Sequence, residues 1–369
     1  MSLRRLWAIL VKELRQLRRD RMTAAMIIGI PVIQLTLFGF AINTNVRGLD
    51  AGIADQANTA GSRALVMDML ATEVVTPKYV VRTPQQLTDL MRAGRISVGV
   101  VIPPDFERRK AEGREVVQVM VDGSDNAVQN AAAQIAQMPL DSHAPDPRVP
   151  PVSTPPGGSI AVVSFYNPER RSAVNIVPGL IGVILTMTMV LFTAIAIVRE
   201  RERGNMEMLI ATPLTSAELM IGKVLPYIVI GLVQTTVVLG LGVWLFAVPV
   251  RGSLLDVYAC AMLLIVANLA LGLLISTRAR TQFQAMQMSF FLFLPSILLS
   301  GFMFPFAGMP KLAQWIAEVL PLTHFLRLIR GVMLRGGTLA EMWPDAAALA
   351  GFIMVMMTLA IALFRKRLD

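Results

Sequence analysis

RERERGNMEMLIATP, residues 199–213, separates two apolar runs at 173–198 and 224–248, and its reading decides the fold. Each run exceeds the roughly 20 residues that a helix needs to cross a bilayer. Glu200, Glu202 and Glu207 cannot stay in lipid, so the chain leaves the membrane near Arg199 and turns back before Leu219. Gly204 permits the turn. From Asn205 onward, Met206, Leu209 and Ile210 recur at i, i+3, i+4 spacing, which predicts a short helix that Pro213 ends. Its apolar edge and charged flanks suit a groove on a partner protein, with methionine as an adaptable contact. A solvated juxtamembrane turn would show the same pattern, and spacing alone does not separate the two.

The flanking sequence is that of an integral membrane protein. Of 369 residues, 54% are hydrophobic and 16% charged, with a mean hydropathy of +0.60. A soluble domain is about a quarter charged. Six apolar runs qualify as spans: 22–46, 173–198, 224–248, 257–276, 283–304 and 346–364. Six crossings put both termini on one side. Fifteen basic residues adjoin the face that carries the termini, among them Arg4, Arg5, Lys12, Arg199, Arg278 and Arg365. Five lie in the short segments of the other face: Arg251, Lys311, Arg327, Arg330 and Arg335. The bias predicts cytoplasmic termini. It also explains the net charge of +9 by membrane orientation, with lipids and not nucleic acid as the partner.

Ahead of the first span, in residues 1–21, Leu3, Leu6, Trp7, Leu10, Leu14 and Leu17 recur every three or four positions with Arg and Lys between them. That spacing predicts a helix lying on the inner membrane surface. Residues 47–172 differ in character, with charges scattered among short apolar segments. Strands are expected at 51–54, 79–82, 98–102 and 116–121, and helices at 62–71, 84–93, 104–112 and 127–137, giving a small α/β domain outside the membrane. Pro84 and Pro104 suit first helical turns. Residues 139–158, PLDSHAPDPRVPPVSTPPGG, read as a stiff tether back to the bilayer. Between the fifth and sixth spans, 305–337 is apolar yet carries Lys311, Glu318, His324, Arg327, Arg330 and Arg335, with Pro310 and Pro321 opening two short helices. A hairpin that dips into the membrane without crossing is expected, with a flat amphipathic pair as the alternative.

The six runs contain no Asp, Glu, Lys or Arg, which removes most support for ion-coupled transport. No G-x-x-x-x-G-K-[ST] loop, H-E-x-x-H site or G-x-S-x-G elbow occurs, so the chain by itself is not expected to be an enzyme. Cys260 lies alone in an apolar run, and neither His143 nor His324 reads as a metal ligand.

RERERGNMEMLIATPLTSAELMIGKVLPY, residues 199–227, resembles the coupling motif of type-2 ABC exporter permeases. SGFMFPFAGMPKLAQWIAEVLPLTHFLRLIRGVMLRGG at 300–337 is similar to the re-entrant hairpin of that family, and FYNPERRSAVNIVPGLIGVIL at 165–185 to the start of its second span. VIPPDF at 101–106 and VDGSDN at 121–126 resemble the outer domain of its YhhJ-like branch. The resemblance implies a membrane all-α protein with six transmembrane helices, an inserted extracytoplasmic α/β domain and a re-entrant helical hairpin before the last span. It places the chain in the bacterial inner membrane.

Carried over by position, Glu200, Arg201, Glu202, Arg203, Gly204, Asn205, Met206, Glu207, Met208 and Leu209 would form the coupling helix at 199–218 that docks on a separate ATPase subunit. Asn205 departs from the hydroxyl residue usual there and puts the cap of that helix in doubt. Leu3 to Leu17 would be the connecting helix, and Arg327 and Arg330 would have an outer gate or lipid-facing role. The implied partners are ATPase subunits holding ATP and Mg, a second permease chain and a periplasmic membrane-fusion adaptor, with no cofactor in this chain. The implied function is ATP-driven export of hydrophobic or amphipathic compounds. A lipid or polysaccharide exporter of the same fold, or a membrane sensor with a periplasmic ligand-binding domain, are the alternatives.

Overall fold

The computed structural model describes residues 48–125, 128–129, 159–169, 171–204 and 216–363. The interfacial helix with Leu3, Leu6, Trp7, Leu10, Leu14 and Leu17, the first span at 22–46, the tether at 139–158, and Asn205, Met206, Glu207, Met208 and Leu209 lie outside the described residues.

Five strands form one sheet: β1 (Leu49–Asp55), β2 (Val75–Val80), β3 (Val98–Ile102), β4 (Glu115–Asp122) and β5 (Ser159–Phe165), in the order β2-β1-β3-β4-β5. β3 and β4 pair antiparallel, and the other neighbours pair parallel. Among the described residues, the helices α1 (Ala60–Ala71), α2 (Pro84–Arg92) and α3 (Phe106–Ala111) cover the sheet. Alternate residues feed two cores, as the two-residue period of a strand requires. Ile53, Val100 and Val119 pack with Leu65 and Phe106 on one face, while Ala54, Val101 and Met120 pack with Leu87 and Met91 on the other. Central β3 is buried along its whole length. Thr59 and Thr83 start α1 and α2 with reciprocal capping boxes, and Pro84 occupies the first turn.

Three details differ from the sequence expectation. Pro104 sits in the turn before α3, because helical bonding begins only at Phe106. β2 begins four residues earlier than expected and ends two earlier, and it holds Pro77, which an edge strand tolerates. β5 is an additional strand immediately before the first described membrane helix, and it extends the sheet beside β4.

Among the described residues, five helices are long and apolar enough to cross a membrane: α4 (Ser172–Glu202), α5 (Ser216–Phe246, with its apolar span at Leu225–Phe246), α6 (Leu254–Arg278), α7 (Gln282–Leu299) and α10 (Trp343–Leu363). Between α7 and α10 lie a 3-10 turn (Phe306–Gly308), α8 (Lys311–Val319), α9 (Pro321–Arg330) and a π-helical turn (Gly331–Arg335). α7 stops at Leu299, short of residue 304, because the chain turns at Gly301 with φ +86°.

α4 and α6 form the centre of the bundle. They approach so closely that a Cβ on Gly272 would lie 2.8 Å from the Val190 carbonyl oxygen. Asn268 crosses the same contact, its amide donating to Thr186 Oγ1 at 3.1 Å. α5 and α10 turn Val229, Val233, Met354 and Val355 outward, which suits contact with lipid. α9 is the opposite case, with Leu322, Phe325, Leu326, Leu328 and Ile329 buried in the bundle core.

Consecutive long helices reverse direction. The start of α4 meets the end of α5, where the Arg171 guanidinium donates to the carbonyls of Phe246 and Ala247. The end of α4 meets the turn between α6 and α7. The sheet domain, α8 and α9 therefore sit at one end of the bundle, and the segment after α4 leaves from the other.

Candidate functional site

At the end away from the sheet, the final turn of α4 carries Arg199, Arg201 and Glu202, and the helix ends with Arg203 as its cap. The Arg203 N–H donates to the Arg199 carbonyl and the Gly204 N–H to the Arg201 carbonyl, so the last carbonyls are satisfied before the chain departs. Gly204 has φ +73° and, among the described residues, no neighbour within 4 Å of where a Cβ would stand. Glycine adopts this left-handed conformation, common just past a helix end, without strain.

The charged side chains of this turn reach across to α6 and α7. Glu202 Oε1 accepts from the Gln282 backbone N–H at 2.9 Å, and its Oε2 accepts from the Gln282 side-chain amide. Arg199 Nε donates to Gln282 Oε1 at 3.2 Å. Arg201 Nη1 donates to the Ala279 carbonyl, the cap of α6, at 3.0 Å. A carboxylate thus meets the N-terminus of α7 and a guanidinium the C-terminus of α6. Both placements match the helix dipoles.

At the sheet end, α8, α9 and α10 meet around His324. Its Nδ1 lies 2.8 Å from Asp345 Oδ1 and its Nε2 lies 2.8 Å from the Glu318 carbonyl oxygen. An ionised carboxylate and a carbonyl can only accept, so satisfying both bonds requires the imidazolium. Burial opposes that charge, but the Asp345 carboxylate and the Glu318 carbonyl outweigh it, and His324 is held above its ordinary value of 6.5. Arg327 completes the group, pairing with Glu318 at 2.5 Å and with Asp345 at 3.4 Å while its guanidinium stacks over the Phe306 ring at 4.7 Å. Two cations and two carboxylates balance, and they join α8, α9 and α10.

Arg330 and Arg335 face the sheet domain. Arg330 pairs with Asp125 at 3.5 Å and Arg335 with Asp122 at 3.4 Å, the second pair having side chains only 9% and 8% exposed. Arg251 stacks on Tyr166 at 5.6 Å, and Arg92 of α2 reaches Glu341 at 3.4 Å. Beside Arg330, a cleft of about 110 Å³ is walled by Asn175, Ile176, Phe302 and Phe304.

The family described as ABC-2 family transporter protein matches residues 21–362. The chain belongs to the ABC-2 transporter family. It is similar to two Escherichia coli K12 proteins, the probable multidrug ABC transporter permeases YbhR and YbhS. YbhR is 29% identical over 98% of this chain and 99% of its own, and YbhS is 31% identical over 100% and 99%. The inner membrane transport permease YhhJ of the same organism is 26% identical over 99% of this chain and 98% of its own.

Membership makes the ABC-2 chain a membrane-embedded transport subunit, with ATP hydrolysis residing in a partner ATPase. Among the residues singled out from sequence, the structure brings Arg199, Arg201 and Glu202 together at one end of this ABC-2 chain and Arg327 and Arg330 at the other. Sequence reasoning did not find Gln282, Glu318, Asp345, Asp122 or Asp125 as their partners. Gln282 stands 80 residues from Glu202 and carries no charge, so no local pattern marks it. Asp345 was legible as an acid just ahead of the last apolar run, but only the fold shows that it faces His324.

Proposed function

We propose that this chain is the permease subunit of an ATP-driven exporter that moves hydrophobic or amphipathic compounds outward across the bacterial inner membrane. The names of its relatives, two of them probable multidrug permeases, support that class of cargo. The engine is a separate pair of ATPase subunits, which hold ATP and Mg. Met206, Glu207, Met208 and Leu209 form the handle on which the ATPase acts, and the termini lie in the cytoplasm with it. A second permease chain completes the path, and a periplasmic membrane-fusion adaptor meets the sheet domain. The segment Pro305 to Gly337 dips into the outer leaflet as a re-entrant hairpin; the deep burial of α9 and the exposed apolar face of α8, with Leu312, Trp315 and Val319, are consistent with that position.

One observation carries the reading: the chain leaves α4 in charged residues and a left-handed glycine at the end of the bundle opposite the sheet domain. Closure of the ATPase pair would push this handle and shift packed helices between alternative arrangements. The test is to purify the chain with candidate ATPase subunits, measure stimulated ATP turnover, and repeat with Glu207→Lys. Loss of stimulation and of co-purification is expected. Full assembly and full stimulation with the reversed charge would remove the docking role of the handle.

A further inference from the structure

We infer that Glu202 and Gln282, with Arg199 and Arg201, are positioning residues that clamp the α6–α7 turn to the end of α4, so that any displacement of the handle moves three helix ends as one body. The inference rests on the proposed coupling to an ATPase, and it gives Glu202 a different role from docking. Glu202 spends both carboxylate oxygens inside the chain, one on the Gln282 backbone N–H and one on its side-chain amide. Gln282 is the first residue of α7, and its remaining side-chain oxygen accepts from Arg199 Nε. Arg201 holds the cap of α6 through the Ala279 carbonyl.

The turn between those helices is short. Ala279, Arg280 and Thr281 are all that separate α6 from α7, and Thr281 caps α7 by accepting from the Gln284 N–H at 3.2 Å. A three-residue link with capped ends has little freedom to absorb movement. Holding it at Ala279 and Gln282 therefore fixes both helix ends to α4. The contacts are charge-assisted, which makes them stronger than neutral hydrogen bonds. They lie where the handle joins the bundle, so they act on the first step of transmission.

The clamp has a diagnostic swap. In Gln282→Glu two carboxylates face each other, and the contact opens. In the double variant E202Q/Q282E the amide at 202 accepts from the backbone N–H and donates to the carboxylate at 282, which in turn accepts from Arg199. Every bond is restored with the charges exchanged.

The experiment uses the full complex with its ATPase in nanodiscs, in a Cys260→Ser background. Spin labels are placed at Arg280→Cys in the turn and Met67→Cys on the sheet domain, both exposed positions. The distance change on adding ATP and vanadate is then measured. We expect Q282E to keep the ATPase bound but lose the distance change about threefold or more, and E202Q/Q282E to recover it to within about twofold of the parent. A Q282E variant that moves like the parent, or a double variant that stays impaired, overturns the clamp.

Loss of the ATPase in Q282E that the swap leaves unrepaired would also overturn it, by returning these residues to docking. If the parent complex itself shows no ATP-dependent change, the exporter reading fails instead. The clamp keeps its own signature, a fall in Tm of the purified chain in Q282E that the swap reverses, and absence of that fall contradicts it independently.

Discussion

Asp122 and Arg335 make the most consequential single contact between the sheet domain and the bundle, because both side chains are almost fully withdrawn from water. Removing one member leaves a buried charge without compensation, which costs about 3–5 kcal/mol. Asp122→Ala should therefore lower the Tm of the purified chain by several degrees. Lys78→Ala breaks a 2.8 Å pair with Asp50 whose side chains are about half exposed. A thermal scan should place that loss at or below about 1 kcal/mol. Equal shifts in the two variants would contradict the burial argument.

His324 gives a pH signature. Its folded value lies above its ordinary 6.5, so its contribution to stability is complete below about 6.5 and is lost as pH rises through the folded value. The Tm advantage of the parent over His324→Gln should be largest near pH 6 and shrink steadily above 6.5. An advantage that grows with pH would show a neutral imidazole.

Helix packing makes a contrasting pair of glycine predictions. A methyl on Gly272 meets the α4 backbone, which cannot rotate away, so Gly272→Ala should cost about 1–3 kcal/mol by overpacking. Gly240 on α5 has nothing within 4 Å among the described residues, and Gly240→Ala should leave Tm unchanged or raise it slightly through helix propensity. The long apolar helices were legible in sequence because lipid demands uninterrupted apolar runs, and Pro84 marked the start of α2. β5 was not legible, since SIAVVSF stands between a Pro-rich tether and a membrane helix with no period of its own. The extension of α4 through Glu202 was hidden by its charges, which suggested the end of a span but not the continuation of the helix into the clamp.

The molecule is a sheet domain docked on a helical bundle by ion pairs, of which Arg335 with Asp122 is buried, with its charged exit at the opposite end. The contacts that dock the domain, Arg330 with Asp125 and Arg335 with Asp122, come from the end of α9 and the π-helical turn after it, and α9 also joins α8 to α10 through His324 and Arg327. None of these pairings could be read from sequence, because each joins residues whose separation is set by the fold and whose local context is ordinary. The overall class was legible, since composition and the motif at 199–227 point to a membrane transport subunit; the proposed function adds that it is driven from one side.

That last claim is open to a direct measurement with Met206→Cys in a Cys260→Ser background and a membrane-impermeant maleimide. A cytoplasmic handle that docks on the ATPase should be labelled in inside-out vesicles and protected there when the ATPase subunit is bound. Labelling only in right-side-out vesicles, or labelling that the bound ATPase leaves unchanged, would contradict it.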